Sequence, residues 1–234
     1  MSELSLTIDG RPCKAKPGQT IAEAARAAGI YIPTLCNYEG LRPVGSCRVC
    51  TVRVGGRYMA ACTQIASEGM VVENMAADLE DMRRSIVEML FVEGNHLCPS
   101  CEKSGNCELQ AHAYRYQIMV PRFPYQFPVK QVEPVAPKIL LEHNRCVQCQ
   151  RCVRSVRTRD GRRIFAPLHR SKWRRIGVDP NLSAELTDEA AGQAMTVCPV
   201  GSILRKEVGF AVPIGRRKFD VRPIGSDVGA KDAR

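Results

Sequence analysis

The chain has 234 residues, twelve cysteines and a formal net charge of +10. That length holds two or three small units with their own cores, and cysteines clumped at two-residue gaps suit metal or cluster ligation and are too close for a disulfide framework. The polar start "MSELSLTIDG" lacks a signal-peptide pattern, and no apolar run reaches the length of a membrane span, so a reducing, cytoplasmic setting is expected. The basic excess carries no interleaved aromatics and is read as a solvated surface or a face for acidic protein partners, with no nucleic acid expected.

Residues 1–77 read as a β-grasp unit. "LSLTIDG" alternates and ends on Asp9-Gly10, which opens a hairpin. "QTIAEAARAAG" is a short helix, with Thr20 and Glu23 at capping-box spacing and Gly29 at C′. "VCTVRVGGRYMAAC" is a second hairpin about Gly55-Gly56. Cys36, Cys47, Cys50 and Cys62 are spaced x10, x2, x11, three from one loop bearing Gly40 and Gly45 and the fourth from a following strand. This is the logic of a plant-type [2Fe–2S] loop with a longer first gap. A four-thiolate zinc site usually pairs two C-x2-C knuckles, and only one is present.

Residues 78–118 form the second unit. The spacing predicts an amphipathic helix over 78–93, with Leu79, Met82, Ile86, Met89 and Leu90 on one stripe, capped by Asp78 and ended by Gly94. The stretch "GNHLCPSCEKSGNC" follows, carrying Cys98, Cys101 and Cys107, and a second short helix begins near Cys107. Residues 119–138, with Pro121, Pro124, Pro128, Pro134 and Pro137, read as an extended connector that wraps a neighbour.

Residues 139–208 read as a ferredoxin-like mixed unit: a strand at Ile139–Glu142, a turn at 160–161, a helix near 187–195, then "CPVGSIL". Cys146, Cys149 and Cys152 stand at C-x2-C-x2-C, and Cys198 is followed by Pro199. In two-cluster ferredoxins each such run ends x3-C-P, and that last cysteine ligates the other cluster. Here Val156 stands where the first run would end. Asp188, Ala191 and Ala194 stand where the second run's cysteines would be. One complete [4Fe–4S] set remains: Cys146, Cys149, Cys152 and Cys198. The basic tail, 209–234, is expected to be extended or ordered only against a partner.

The middle set is one ligand short. Only Cys13, on the first hairpin, is left over, and a lone cysteine is usually a packing residue. His96 is local, and imidazole is a known cluster ligand, so His96, Cys98, Cys101 and Cys107 make the second [4Fe–4S] set. His112, His143 and His169 are read as core or surface residues. A neutral imidazole in place of a thiolate removes one negative charge and raises the potential.

With these residues in hand, the α+β order of a β-grasp [2Fe–2S] domain, a small helical His(Cys)3 [4Fe–4S] domain and a ferredoxin-like [4Fe–4S] domain resembles the N-terminal part of the large iron–sulfur subunit of respiratory complex I. A similar order occurs in [FeFe] hydrogenases and NAD-linked formate dehydrogenases. "EGNHLCPSCEKSGNCELQA", "RFPYQFPV", "RCVQCQRCV", "CPVGSIL" and "IGRRK" resemble the Hox-type diaphorase iron–sulfur subunits of NAD-reducing [NiFe] hydrogenases over nearly the whole chain. The wider family spaces its histidine as H-x3-C; here Gly94 holds that position and His96 gives H-x-C.

The chain has no G-x-G-x-x-G and no Ser/His/Asp or paired-carboxylate site. It therefore reads as a non-catalytic electron-transfer subunit of an oxidoreductase, with one [2Fe–2S] and two [4Fe–4S] clusters. The resemblance implies partners: a flavin- and NAD-binding diaphorase subunit, which holds the FMN and NAD this chain does not bind, and the small and large [NiFe] hydrogenase subunits. Together these would run H2 + NAD+ to NADH + H+. Arg145, Arg151 and Arg154 are expected near the last cluster, where their charge would raise its potential or else face a partner. The same relay module in an NADH:quinone oxidoreductase or formate dehydrogenase is one rival. A zinc-stabilised nucleic-acid-binding protein is the other, suggested by the basic run from Arg151 to Arg175, which has only Phe165 and Trp173 for stacking.

Overall fold

A computed structural model describes residues 3–134 and 136–228; Met1, Ser2, Val135 and the last part of the expected tail, 229–234, lie outside the described residues. Strands β1 (Leu4–Ile8) and β2 (Arg11–Ala15) form the first hairpin. Asp9 and Gly10 turn it with φ of 50° and 76°, the left-handed pair that matches strand twist. Helix α1 (Ile21–Ala27) starts on the Thr20–Glu23 capping box. The second hairpin, β3 (Thr51–Val54) and β4 (Arg57–Ala60), turns at Gly55-Gly56. Strand β5 (Met70–Glu73) is an element the periodicity did not reveal. It lies parallel to β1 and antiparallel to β3, joining the hairpins into one sheet of order β2-β1-β5-β3-β4. Ile8, Ile21, Ala24, Ala25, Val52 and Val72 fill the space between this sheet and α1.

Helix α2 (Ala77–Val92) departs from expectation at both ends and on its face. Its N-cap is Ala76, without a side-chain cap bond. The Asp78 carboxylate turns outward instead, accepting from Arg53 at 2.8 Å and the Tyr58 hydroxyl at 2.6 Å. Glu93 takes the C-cap position expected one residue later, at Gly94. The buried face is Leu79, Arg83, Val87, Glu88 and Val92, while Met89 is 40% exposed. Two charged residues hold core positions because each is held by several partners. Arg83 donates to the carbonyls of Asn74 (2.8 Å) and Thr51 (2.8 Å), the Asn74 amide oxygen (2.7 Å) and Glu80 (2.6 Å). Glu88 accepts from Arg84 (3.0 Å) and Arg122 (2.8 Å). Burial of charge is tolerated only with such pairing.

Helix α3 (Glu108–Arg115) begins directly after Cys107, whose sulfur faces the Gln110 amide at 3.5 Å. The connector is extended and exposed, with Met119, Val120, Phe127 and Val129 largely in solvent. One piece of it enters a sheet: β6 (Val132–Glu133) pairs with β7 (Ile139–Glu142), and β10 (Ile203–Arg205) takes the other edge. Helix α4 (Arg151–Ser155), a hairpin of β8 (Phe165–Leu168) and β9 (Arg175–Val178), then α5 (Pro180–Ala184) and α6 (Asp188–Val197) complete the third unit. The tail folds back on the chain itself. In its short helix α7 (Lys218–Val221), Phe219 donates to the Gly105 carbonyl at 2.8 Å. Gly225 lies against the Tyr31 ring, where a Cβ would sit 2.6 Å from ring carbons.

Candidate metal centres

The structure gathers the expected ligands at three places. At the first, Cys36 and Cys47 come from the irregular loop between α1 and β3, Cys50 immediately precedes β3, and Cys62 sits in the turn just past β4, not on a strand. The loop passes so close to that turn that a Cβ on Gly45, at φ 63°, would meet Thr63 at 3.1 Å. The Cys36 amide donates to the Cys47 sulfur at 3.4 Å. Cys36 also contacts Cys62, and Cys62 contacts Cys50, in a net of thiol hydrogen bonds. These bonds bring the Cys50 thiol down to about 7 and Cys36 lower still, and raise Cys47 and Cys62. Four thiols in mutual contact, all but Cys47 fully buried, fit a compact two-iron group.

At the second place His96, Cys98, Cys101 and Cys107 line one small cavity, with Arg145 and Gly201 on its wall. His96 is suited to ligation. Burial first, then the Arg145 and Lys130 charges, pull its pKa to about 4, so the ring is neutral. The Leu90 carbonyl accepts from the ring. Nε2 is buried without a protein partner, so its lone pair is free, and the Leu90 bond falls to Nδ1. Burial pushes the Cys107 thiol up to about 12 and raises Cys98. Gly201 makes room for Cys101: a Cβ there would stand 2.3 Å from its sulfur.

The third place is a small cavity lined by Cys146, Cys149, Cys152 and Cys198 with Leu141, Ile176, Val200 and Ile203. Burial leads the rise of three of these thiols, Cys149 to about 12 and Cys152 well above its ordinary value. Amides of the turn answer it: Gln148, Arg151 and Val153 donate toward Cys146, Cys149 and Cys152. Gln148 and Gln150, at φ 52° and 58°, give the turn the concave shape that directs such amides at an anion. Buried thiols that resist ionisation alone, facing backbone donors, fit a cationic iron group that takes them as thiolates. Among the described residues no three His, Cys, Asp or Glu side chains are arranged to hold a single metal ion. A four-iron cluster asks only one ligand of each iron.

Cys13 packs in the core of the first unit, its S–H toward the Arg11 carbonyl. His112 and His143 are buried and His169 is exposed. Of the three arginines expected near the last cluster, Arg151 and Arg154 lie at the third site and Arg145 does not. Arg145 lines the second cavity, not the third. Arg151 is fully buried in a two-pronged ion pair with Glu108, at 2.7 and 2.6 Å, which offsets its charge. Lys103, missed in the sequence, is buried with Nζ on the Met195 carbonyl at 2.6 Å. Nothing in its local spacing marks it, because its acceptor lies ninety-two residues away.

The family model of a 2Fe-2S iron-sulfur cluster binding domain matches residues 1–76. That of the NADH-ubiquinone oxidoreductase-G iron-sulfur binding region matches 83–122, and that of the ferredoxin-like domain of NADH-quinone oxidoreductase subunit 3 matches 136–204. The chain is 47% identical over 222 residues to the gamma subunit of the NAD-reducing hydrogenase HoxS of Cupriavidus necator, covering 94% of this chain and 95% of that protein. It is 31% identical over 216 residues to the mitochondrial NADH-ubiquinone oxidoreductase 78 kDa subunit of Candida albicans, covering 90% of this chain but 29% of that one. A crystal structure of NAD+-reducing [NiFe]-hydrogenase in the H2-reduced state has a chain that superposes with a TM-score of 0.87 at 38% identity, over 94% of both chains. Among the described residues no helix is long and apolar enough to cross a membrane.

Proposed function

The chain belongs to the family of NAD-reducing hydrogenase gamma subunits, and from that premise we propose that it holds one [2Fe–2S] and two [4Fe–4S] clusters and relays electrons between a [NiFe] hydrogenase module and a flavin-bearing diaphorase subunit. The observation that carries this reading is the gathering of twelve side chains, eleven cysteines and His96, into three separate four-ligand sites in one chain. When bound, such clusters supply one-electron redox centres.

The chain's own residues set the conditions at each centre. Thiol contacts at Cys36, Cys47, Cys50 and Cys62 define the first. The second has one neutral donor, His96, and Arg145 on its wall, two features that raise its potential. The third is dressed by backbone amides and apolar walls. Identity of 47% over nearly both full lengths supports the hydrogenase over the quinone reductase, where the match covers 29% of the relative. Free thiols throughout the described residues support a reducing, cytoplasmic setting.

Anaerobic purification with iron and sulfide counts, followed by redox titration under EPR, tests the reading. About ten iron atoms per chain are expected, two at the first site and four at each of the others. A colourless chain with zinc and no iron refutes it. Co-purification with a nickel-binding subunit separates the hydrogenase from the quinone reductase.

A further inference from the structure

Two of the three sites are joined by one side chain. Arg154 lies on α4, two residues past Cys152, and is half-buried. Its Nη2 donates to the Cys36 carbonyl at 2.6 Å and to the Cys149 carbonyl at 3.3 Å. Nη1 donates to the Arg42 carbonyl at 2.6 Å, and Nε to the Gln150 carbonyl at 3.2 Å. One nitrogen therefore bridges the backbone of a first-site cysteine and a third-site cysteine, 118 and 5 residues away in sequence. Every acceptor is a backbone carbonyl of one of the two cysteine loops, and no carboxylate pairs with the guanidinium among the described ion pairs. The rigid fork fixes both loops at once, which a single point donor cannot do as well.

We propose that Arg154 is the positioning residue for electron passage between the first and third sites: it clamps the Cys36 and Cys149 loops at a fixed separation and supplies the hydrogen-bonded contact between them. The inference rests on the relay reading above. In the step concerned one electron leaves one site, which is oxidised, and arrives at the other, which is reduced. The guanidinium changes neither charge nor proton count. Between the second and third sites the backbone also makes a direct bond, the Glu108 amide next to Cys107 donating to the Pro199 carbonyl next to Cys198 at 2.8 Å.

The test uses the full chain, purified anaerobically and reduced with dithionite, in wild-type, Arg154→Met and Arg154→Lys forms. Iron counts are taken with the microwave-power saturation of the [2Fe–2S] EPR signal. In the wild type the fast-relaxing third-site spin hastens relaxation of the first-site spin, so that signal resists saturation. R154M is expected to keep its iron and lose this resistance, while the second-site signal is unchanged. R154K, which retains a donor at the end of a long stem, is expected to recover part of it. An R154M chain with full iron and unchanged saturation overturns the proposal and leaves the relay standing. If R154M loses its clusters, R154K decides: full iron with wild-type saturation overturns the proposal, and full iron with partial loss supports it. A wild-type chain without iron overturns the relay itself, and this proposal with it.

Discussion

The ion pair of Arg151 with Glu108 offers a direct check on how the second and third units are held together. Arg151 stands between Cys149 and Cys152, and Glu108 follows Cys107, so the pair spans both sites. The arginine side chain is 2% exposed and the glutamate 21%. The two prongs are 2.7 and 2.6 Å, and the guanidinium lies 5.2 Å from the centre of the Tyr38 ring beside the first site. Arg151→Met keeps the stem and removes the charge, leaving Glu108 without its ion-pair partner and with little water. Breaking a buried pair in this way costs about 3–5 kcal/mol. Residual exposure of Glu108 places this case near the lower end, about 3 kcal/mol, or roughly 150-fold in the folding equilibrium constant. The readout is the anaerobic urea midpoint of the full chain, followed by visible absorbance and by circular dichroism. The double variant R151M/E108Q removes the stranded charge and should recover about half of the loss. Equal midpoints for R151M and wild type, or no recovery in the double variant, would refute the argument that unpaired charge is the source of the cost.

Other outcomes follow from the same geometry. His96→Ala should lose or convert one [4Fe–4S] EPR signal and spare the [2Fe–2S] signal; three unchanged signals would return His96 to a bystander. Gly201→Ala would push a Cβ to 2.3 Å from the Cys101 sulfur, so iron content should fall by about four atoms per chain with the first-site signal intact. His112 is buried, with Nε2 on the Thr34 carbonyl at 3.0 Å, and burial lowers its pKa. The folded chain then binds fewer protons there than the unfolded chain, so stability is full above the unfolded value of about 6.5 and falls as pH drops below it. Thermal midpoints from pH 5 to 7.5 should show a slope on the acid side that His112→Gln flattens, and an unchanged slope would refute the assignment.

Cysteine spacing carried most of the site, because each ligand set is written in short gaps that any loop conformation must respect. The x2 gaps placed three thiols on one turn, and elimination of Cys13 pointed to His96. Face assignment on α2 held for Leu79, Ile86 and Leu90 but missed Arg83 and Glu88, for a physical reason. Periodicity counts Arg83 and Glu88 as outward, and besides the local partners Glu80 and Arg84 each has one on a segment remote in sequence: Thr51 is thirty-two residues from Arg83, and Arg122 thirty-four from Glu88. A buried charge is legible only when its partner is known. Strand β5 and the β8–β9 hairpin escaped because no two-residue turn flags them as Gly55-Gly56 flags the equally short β3 and β4. Arg145 was assigned by nearness in sequence to Cys146, but the chain turns there and sends the side chain to the second cavity.

The division of the core explains why charged joints matter in this chain. The first unit has its own cluster of buried side chains, which includes Cys50 and Cys62. The second and third units share a single cluster: Val87 of α2 and Leu109 and Ala113 of α3 lie in it with Ile139, Leu141, Val153 and Val197. Leu35 and Val49, from the first unit's cysteine loop, belong to that shared cluster as well, and Cys47 packs against it. The first site therefore straddles a seam, with Cys47 packed against one core and Cys50 and Cys62 in the other. Apolar packing is non-directional and cannot by itself set the register of two cores across such a seam. Directional bonds can: Arg83 ties α2 to Thr51 and Asn74, Arg154 ties α4 to Cys36 and Arg42, and His112 ties α3 to Thr34. Each joins the first unit to a helix whose apolar side chains lie in the shared core, and each reaches a carbonyl oxygen within or beside the loop that gathers the first four thiols. Their placement makes the geometry of the first site depend on the folding of all three units.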